Sequence, residues 1–283
     1  MVLQLGGQKM IMKEVADNGL IADLFTDTTF QSRKAIIMLG GSEGGKVWSS
    51  IRIRRPIELL VQQGYSVLSL AYFKAQGLPY SLEEIPLEYF EKAFNWLSAQ
   101  KGIVANEYVV LGGSKGAEAA LLLASKYSQV KAVIAFSPSC VVWQGIPKNR
   151  FDVGKDVKSS WSYKGESLPF LAYPPSVKKM DLLLLRLRKM HEEALQNTAG
   201  TSNAEIKVEN IQGPILLISG ERDRLWPATN MSKMIMNRLK ANMFDYKYEH
   251  IVYQTGHNGI IINRDCWRKI FNFLKAYYAS SEG

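Results

Sequence analysis

Apolar residues fall along this chain in short blocks separated by polar or glycine-containing turns. KAIIMLGGSEGG from Lys34, YSVLSLAYF from Tyr65, EYVVLGG from Glu107, VKAVIAFSPS from Val130 and GPILLISGERD from Gly213 each hold a run close to continuously apolar. Runs of that length and content predict strands covered on both faces. Between them the period lengthens. LEEIPLEYFEKAFNWLSAQ from Leu82 carries apolar residues at i, i+3 and i+4, and VWSSIRIRRPIELLVQQG from Val47 predicts a helix closed by Gly64. KGAEAALLLASKY from Lys115, TNMSKMIMNRLKAN from Thr229 and RDCWRKIFNFLKAYY from Arg264 predict further helices, with a strand in YKYEHIVYQ from Tyr246. Strands alternating with helices predict an α/β architecture, a mostly parallel sheet flanked by helices. Residues 140–210 break the rhythm. They hold Pro147, Pro169, Pro174, Pro175, Trp143, Trp161 and the basic stretch VKKMDLLLLRLRKMHEEALQ from Val177. So long an irregular segment predicts a cap or lid inserted between two sheet strands, within one domain spanning residues 1–283.

Composition changes this picture little. The chain has 283 residues, 47% hydrophobic and 22% charged, an ordinary globular mixture large enough for a core without disulfides. Its two cysteines, Cys140 and Cys266, have no metal-ligand spacing and predict a reducing, cytoplasmic setting and no metal site. MVLQLGGQKMIMKEV lacks the apolar core expected of a signal peptide. The densest apolar cluster, Leu182 to Leu185, is far shorter than the roughly 20 residues of a membrane span. The formal charge of +9 favours anionic partners. No finger, RNA-recognition signature or Lys/Arg run points to nucleic acid, whereas a phosphate-bearing small molecule fits. Oligomeric state is not encoded in any motif.

The candidate chemistry centres on VVLGGSKGAEAALLLASKY from Val109. Gly112-Gly113-Ser114-Lys115-Gly116 has the form G-x-S-x-G between a strand pattern and a helix pattern, the context of a nucleophile elbow. Ser114 needs a base, and the chain has three histidines. In this architecture the order is Ser, acid, His, each at the end of a strand. His191 precedes the late strands, His250 lies inside a strand pattern, and His257 falls in the loop TGHNG. His257 fits. For the acid, GERDRLWP offers Asp223, with Glu221 as second choice. Asp223 would fix the imidazole tautomer and stabilise the imidazolium. An oxyanion hole is expected from the Lys115 amide and from LGGSEGG, through Ser42 or Glu43. That loop has neither the G-x-G-x-x-G order nor a Gly-Lys-Ser/Thr ending for a nucleotide phosphate.

Several stretches are more specific than the elbow. LAYFKAQGLP followed by IPLEYFEKAFNWL, GGSKGAE, WSYKGESLPF, GERDRLWP and TGHNG together resemble the C-terminal catalytic domain of the acyl-CoA thioesterase and bile acid-CoA:amino acid N-acyltransferase family, a branch of the α/β-hydrolases. Lys115 and Glu118 match its Ser/Cys-Lys-Gly-x-Glu elbow. The resemblance implies an α/β-hydrolase fold and acyl transfer from a coenzyme A thioester through an acyl-enzyme. N-acyltransferase members carry cysteine where this chain has Ser114, so the resemblance implies water as acceptor. Mammalian members also carry an N-terminal β-sandwich, in place of which MIMKEVADNGLIADLFTD is expected to form a short leading hairpin.

Coenzyme A is polyanionic. Lys178, Lys179, Arg186, Arg188 and Lys189, or Arg52, Arg54 and Arg55, are candidate phosphate contacts, though solvated helix faces would look the same. Trp143, Trp161, Phe170 and Tyr173 suit either an acyl pocket or packing inside the cap. The leucines of MDLLLLRLRKM fit a lid helix over such a pocket. The expected partner is a small acyl thioester or ester, with no cofactor, no nucleic acid and no stable membrane insertion. A carboxylesterase or peptidase-like hydrolase on the same residues, or a catalytically silent binding module, fits the same motifs.

Overall fold

The computed structural model describes residues 2–5, 8–51, 53–175, 179–184 and 186–279. The chain opens with three antiparallel strands, β1 (Val2–Leu5), β2 (Gln8–Asp17) and β3 (Leu20–Thr26). Asn18 and Gly19, both at positive φ, make the β2–β3 turn. The expected leading hairpin is therefore present. The strands that follow are β4 (Arg33–Leu39), β5 (Ser66–Ala71), the short β6 (Ile85–Pro86), β7 (Ile103–Gly113) and β8 (Val130–Phe136). Beyond them come the short β9 (Trp161–Tyr163) and β10 (Glu166–Ser167), then β11 (Ile215–Gly220) and β12 (Tyr248–Tyr253). One nine-stranded sheet has the order β1-β2-β3-β5-β4-β7-β8-β11-β12. It is antiparallel up to the β3–β5 pair and parallel from β5 to β12.

Helices α1 (Arg55–Gln62), α2 (Glu88–Ser98) and α3 (Lys115–Lys126) connect the first parallel strands. After β10 come α4 (Lys179–Leu183), α5 (Arg188–Leu195) and α6 (Thr198–Ala204), then α7 (Ala228–Ala241) and α8 (Arg264–Tyr277). The apolar core divides into two clusters. One gathers α2, α3 and α7 with Trp143 and Trp161, and the other gathers α1 and α8. Helices therefore cover both faces of the sheet, as an α/β-hydrolase requires.

Two helices start later than the periodicity predicts. The stretch from Val47 makes one 3-10 turn at Val47–Ser49, and α1 begins only at Arg55. The stretch from Leu82 first makes β6, and α2 begins at Glu88. Pro56 and Pro86 set both boundaries. Proline has no N–H to donate and fits only a first turn, and it disfavours helix in the residue before it. Gly64 follows the end of α1 at φ +85°, the left-handed closure expected there. The basic stretch from Val177 is likewise two short helices, α4 and α5, rather than one. Among the described residues no helix is long and apolar enough to cross a membrane.

Candidate active site

β7 ends at Gly113 and α3 begins at Lys115, so Ser114 makes the turn alone, at φ +57° and ψ −119°. A side chain in that region costs on the order of 1–3 kcal/mol and persists only where the surroundings enforce it. Here the Ser114 amide donates to the Phe136 carbonyl (2.9 Å), and its own carbonyl accepts from Ala117 (2.9 Å) and Glu118 (3.1 Å). The flanking glycines are required by contact. A Cβ on Gly112 would lie 2.0 Å from the Gly116 oxygen, and one on Gly116 would lie 2.4 Å from the Gly40 oxygen. Gly113, between them, would meet nothing within 4 Å. The turn thus packs α3 against both β7 and the end of β4. The first amides of α3 carry the helix's positive end at Ser114.

Asp223 and His257 sit past the ends of β11 and β12, which pair in parallel. His257 Nδ1 and Asp223 Oδ2 are 2.6 Å apart. Asp223 is buried, and its other oxygen accepts from the amides of Leu225 (2.8 Å) and Trp226 (3.3 Å). Those bonds fix the carboxylate's orientation. Glu221, the alternative acid, is exposed. His257 and Ser114 both line one cleft of about 580 Å³. His250 instead pairs with Ser219 (2.8 Å). His191 is buried against the rings of Trp143, Tyr173 and Trp226, with Nδ1 2.9 Å from the Leu187 carbonyl. Burial pushes its pKa down to about 4.

Loop 40–45 forms the other wall at Ser114. A Cβ on Gly41 would lie 3.1 Å from the Ser114 Cβ, and Ser42 and Glu43 both line the cleft. The Gly41 amide donates to the Glu43 carboxylate (2.8 Å), and Lys74 Nζ donates to the Ser42 carbonyl (3.0 Å). Sequence reasoning took Glu43 for its backbone amide and missed this side-chain role. An acid two residues past a glycine is too common to signal it.

Lys115 and Glu118 are buried side by side, Nζ to Oε2 2.7 Å. The second carboxylate oxygen of Glu118 accepts from the Trp161 indole (2.8 Å) and the Trp143 amide (3.1 Å). Burial pushes the carboxyl up and the ammonium down, and their contact opposes both shifts. One carboxylate thus ties the helix behind Ser114 to the 140–210 segment. The i, i+3 spacing of Lys115 and Glu118 was legible, but the two tryptophan donors were not.

That segment also supplies much of the cleft. Leu182 of α4, Leu187 and Met190 at α5, and Tyr173 line it with Trp48 and Phe136 from the sheet side. Trp143 and Trp161 are fully buried in packing, Phe170 is half-buried against the core, and Leu183 and Leu184 point outward. Of the candidate phosphate contacts, Arg186 and Lys189 are exposed on either side of Leu187. Arg188 instead binds Glu192 (2.7 Å) and the carbonyls of Glu221 and Asp223 (3.2 Å each), bracing the Asp223 loop. Lys178, the Lys179 side chain and Arg52 lie outside the described residues. Arg54 and Arg55 contact Glu58 on α1. Lys74 and Lys148, which the sequence did not single out, line the cleft itself. Among the described residues no cluster of His, Cys, Asp or Glu could hold a metal ion.

Solved structures share this architecture at low identity. The Pyrococcus furiosus esterase Pf2001 superposes with a TM-score of 0.60 at 17% identity, covering 95% of this chain and 92% of that one. The alpha/beta hydrolase GrgF from Penicillium sp. sh18 gives 0.60 at 17%, covering 95% and 98%. These likenesses establish the fold. By sequence, mouse mitochondrial acyl-coenzyme A thioesterase 2 is 30% identical over 186 residues, 65% of this chain and 37% of the relative. Mouse acyl-coenzyme A amino acid N-acyltransferase 2 is 29% identical over 189 residues, 65% and 40%. The chain thus spans well under half the length of these two relatives. Residues 85–261, more than half of the chain, match the family described as BAAT / Acyl-CoA thioester hydrolase C terminal, and the protein belongs to that family.

Proposed function

We propose that this protein is a serine hydrolase of acyl thioesters, with a coenzyme A thioester as substrate. The observation that carries the reading is the 2.6 Å contact between His257 and Asp223, with His257 and the strained Ser114 on one cleft. His257 takes the Ser114 proton as Oγ attacks the acyl carbonyl. The C=O electrons move onto oxygen, where the Lys115 amide and loop 40–45 stabilise the oxyanion, each donor worth about 3 kcal/mol of barrier. On collapse the C–S bond breaks, and the sulfur takes the proton from His257 and leaves as the free thiol. Water, deprotonated by His257, then attacks the acyl-enzyme, releasing the carboxylic acid and restoring Ser114. Asp223 holds the imidazole and stabilises its protonated form without itself taking the proton. Names of relatives that include thioesterases support the thioester, and the resemblance, whose N-acyltransferase members carry cysteine where this chain has Ser114, supports water as acceptor. Arg186, Lys189, Lys74 and Lys148 are the cations proposed to meet the coenzyme's phosphates.

The test is hydrolysis of an acyl-CoA series beside p-nitrophenyl esters, with a fluorophosphonate probe for Ser114. Ser114→Ala is expected to lower kcat by roughly 10⁴-fold or more, to abolish labelling and to leave the melting temperature nearly unchanged. Wild-type turnover in that variant would overturn the reading. A preference for simple esters would keep the Ser114 chemistry and replace the leaving group. Relatives named as mitochondrial and peroxisomal exist, so the cytoplasmic setting expected from the cysteines is tested by localising the tagged protein.

A further inference from the structure

A second concavity, about 610 Å³, lies between α1, the turn after His257 and the first half of α8. Leu59, Ile262, Trp267 and Phe271 are among its apolar lining residues, and Arg55, Arg264 and Arg268 line it too. Among the described residues no carboxylate lines it. Among the described residues Ile261 alone lines both it and the Ser114 cleft. Arg55 and Arg268 each contact an acid, Glu58 (3.1 Å) and Asp265 (2.5 Å), but both guanidinium side chains stay largely exposed, at 63% and 74%. Arg264 is exposed and has no acidic partner among the described residues. It also opens α8, a 14-residue helix whose positive end adds to the field there. Ile262 stands 79% exposed beside it.

We propose that this groove binds one long-chain carboxylate, its chain along Leu59, Trp267 and Phe271 and its head among Arg55, Arg264 and Arg268. The volume lies in the range of small-molecule sites, and an apolar wall with a few convergent charged groups is their usual make-up. Guanidinium groups bind carboxylates with paired N–H donors, the match a planar anionic head needs. A second copy of the chain fits less well, because a two-fold contact through this face brings its arginines against their own copies on a protein of charge +9. The proposal is independent of the Ser114 chemistry.

The experiment uses the full chain with Ser114→Ala and a palmitate analogue carrying a mid-chain diazirine, followed by peptide mapping of the photolabel. Expected is label on peptides from 53–62 and 262–272, removed by excess palmitate and much less by 1-hexadecanol. The double variant Arg55→Glu with Arg264→Glu should lose that label at least tenfold, while any label on cleft peptides and the melting temperature stay as before. Label confined to cleft peptides overturns the proposal, as does groove label indifferent to charge reversal or equally displaced by the alcohol. Association seen only with anionic vesicles, or concentration-dependent dimerisation that excludes the label, would assign the groove to a membrane surface or to a second copy and also overturn it. Because Ser114 is already absent, a negative result leaves the proposed hydrolysis untouched, and wild-type turnover in Ser114→Ala leaves the groove untouched.

Discussion

The elbow around Ser114 and the 140–210 segment that faces it are held by different physics. At the elbow, backbone meets backbone. Gly112, Gly116 and the end of β4 approach so closely that one added methyl has nowhere to go. The opposing segment relies on side chains, with Trp143 tilted against Tyr173 and edge-on to His191, and with Trp161 bonded to Glu118. Backbone contact of that kind tolerates almost no substitution, whereas side-chain packing can vary if volume and polar partners are kept. The contrast teaches where this protein can change, since the wall that sets pocket shape is the adaptable one.

The most damaging break is expected at the elbow. Gly116→Ala should prevent stable folding, or cost more than about 4 kcal/mol, in the range where a named steric cause is required. Gly113→Ala, with open space at its Cβ, should stay within about 0.5 kcal/mol. Chemical denaturation of the pair measures the difference, and equal effects would refute the contact account. Next comes the tie between the two regions. Glu118→Ala leaves Lys115 buried without its counterion and is expected to cost about 3–5 kcal/mol. Glu118→Gln keeps an acceptor for Trp161 and should cost less, as thermal melts of both variants would reveal.

A smaller effect sharpens the comparison on the segment's side. His191, with its pKa pushed down to about 4 by burial, stays neutral in the fold where the unfolded chain, near 6.5, takes up a proton. The unfolded state then binds more protons, so stability falls as pH drops from about 6.5 toward 4, by on the order of 3 kcal/mol in all, and is unaffected by this group above that window. His191→Gln should flatten that slope in denaturation curves taken across pH 4–7. The smallest effect is on selectivity. Leu187→Ala enlarges the cleft where α5 meets it, and should shift chain-length preference in kcat/KM by about 10-fold, the worth of a methylene or two. An unchanged acyl-CoA profile would remove Leu187 from the acyl path.

The parallel strands and the G-x-S-x-G turn were legible in the sequence because each depends on a local rule. A strand buried on both faces must be apolar throughout, and a turn this tight must carry glycine at fixed positions. The contact of His257 with Asp223, and its place on one cleft with Ser114, was legible because the chain offers so few histidines. Pro56 and Pro86 also spoke locally, and periodicity that ran through them placed two helix starts too early.

What remained hidden depends on residues distant in the chain. Nothing near Arg188 says that it braces the carbonyls of Glu221 and Asp223, and nothing near Glu118 names Trp143 and Trp161 as its donors. The sequence by itself determined the order of elements and the residues able to do chemistry, through burial patterns and backbone sterics that act over a few neighbours. Only the tertiary structure decided which side chains face the cleft, which lock the core and which line the arginine-bordered groove. Those outcomes follow from how separate elements pack, and a side chain's partners across such an interface are set by the whole sheet's geometry.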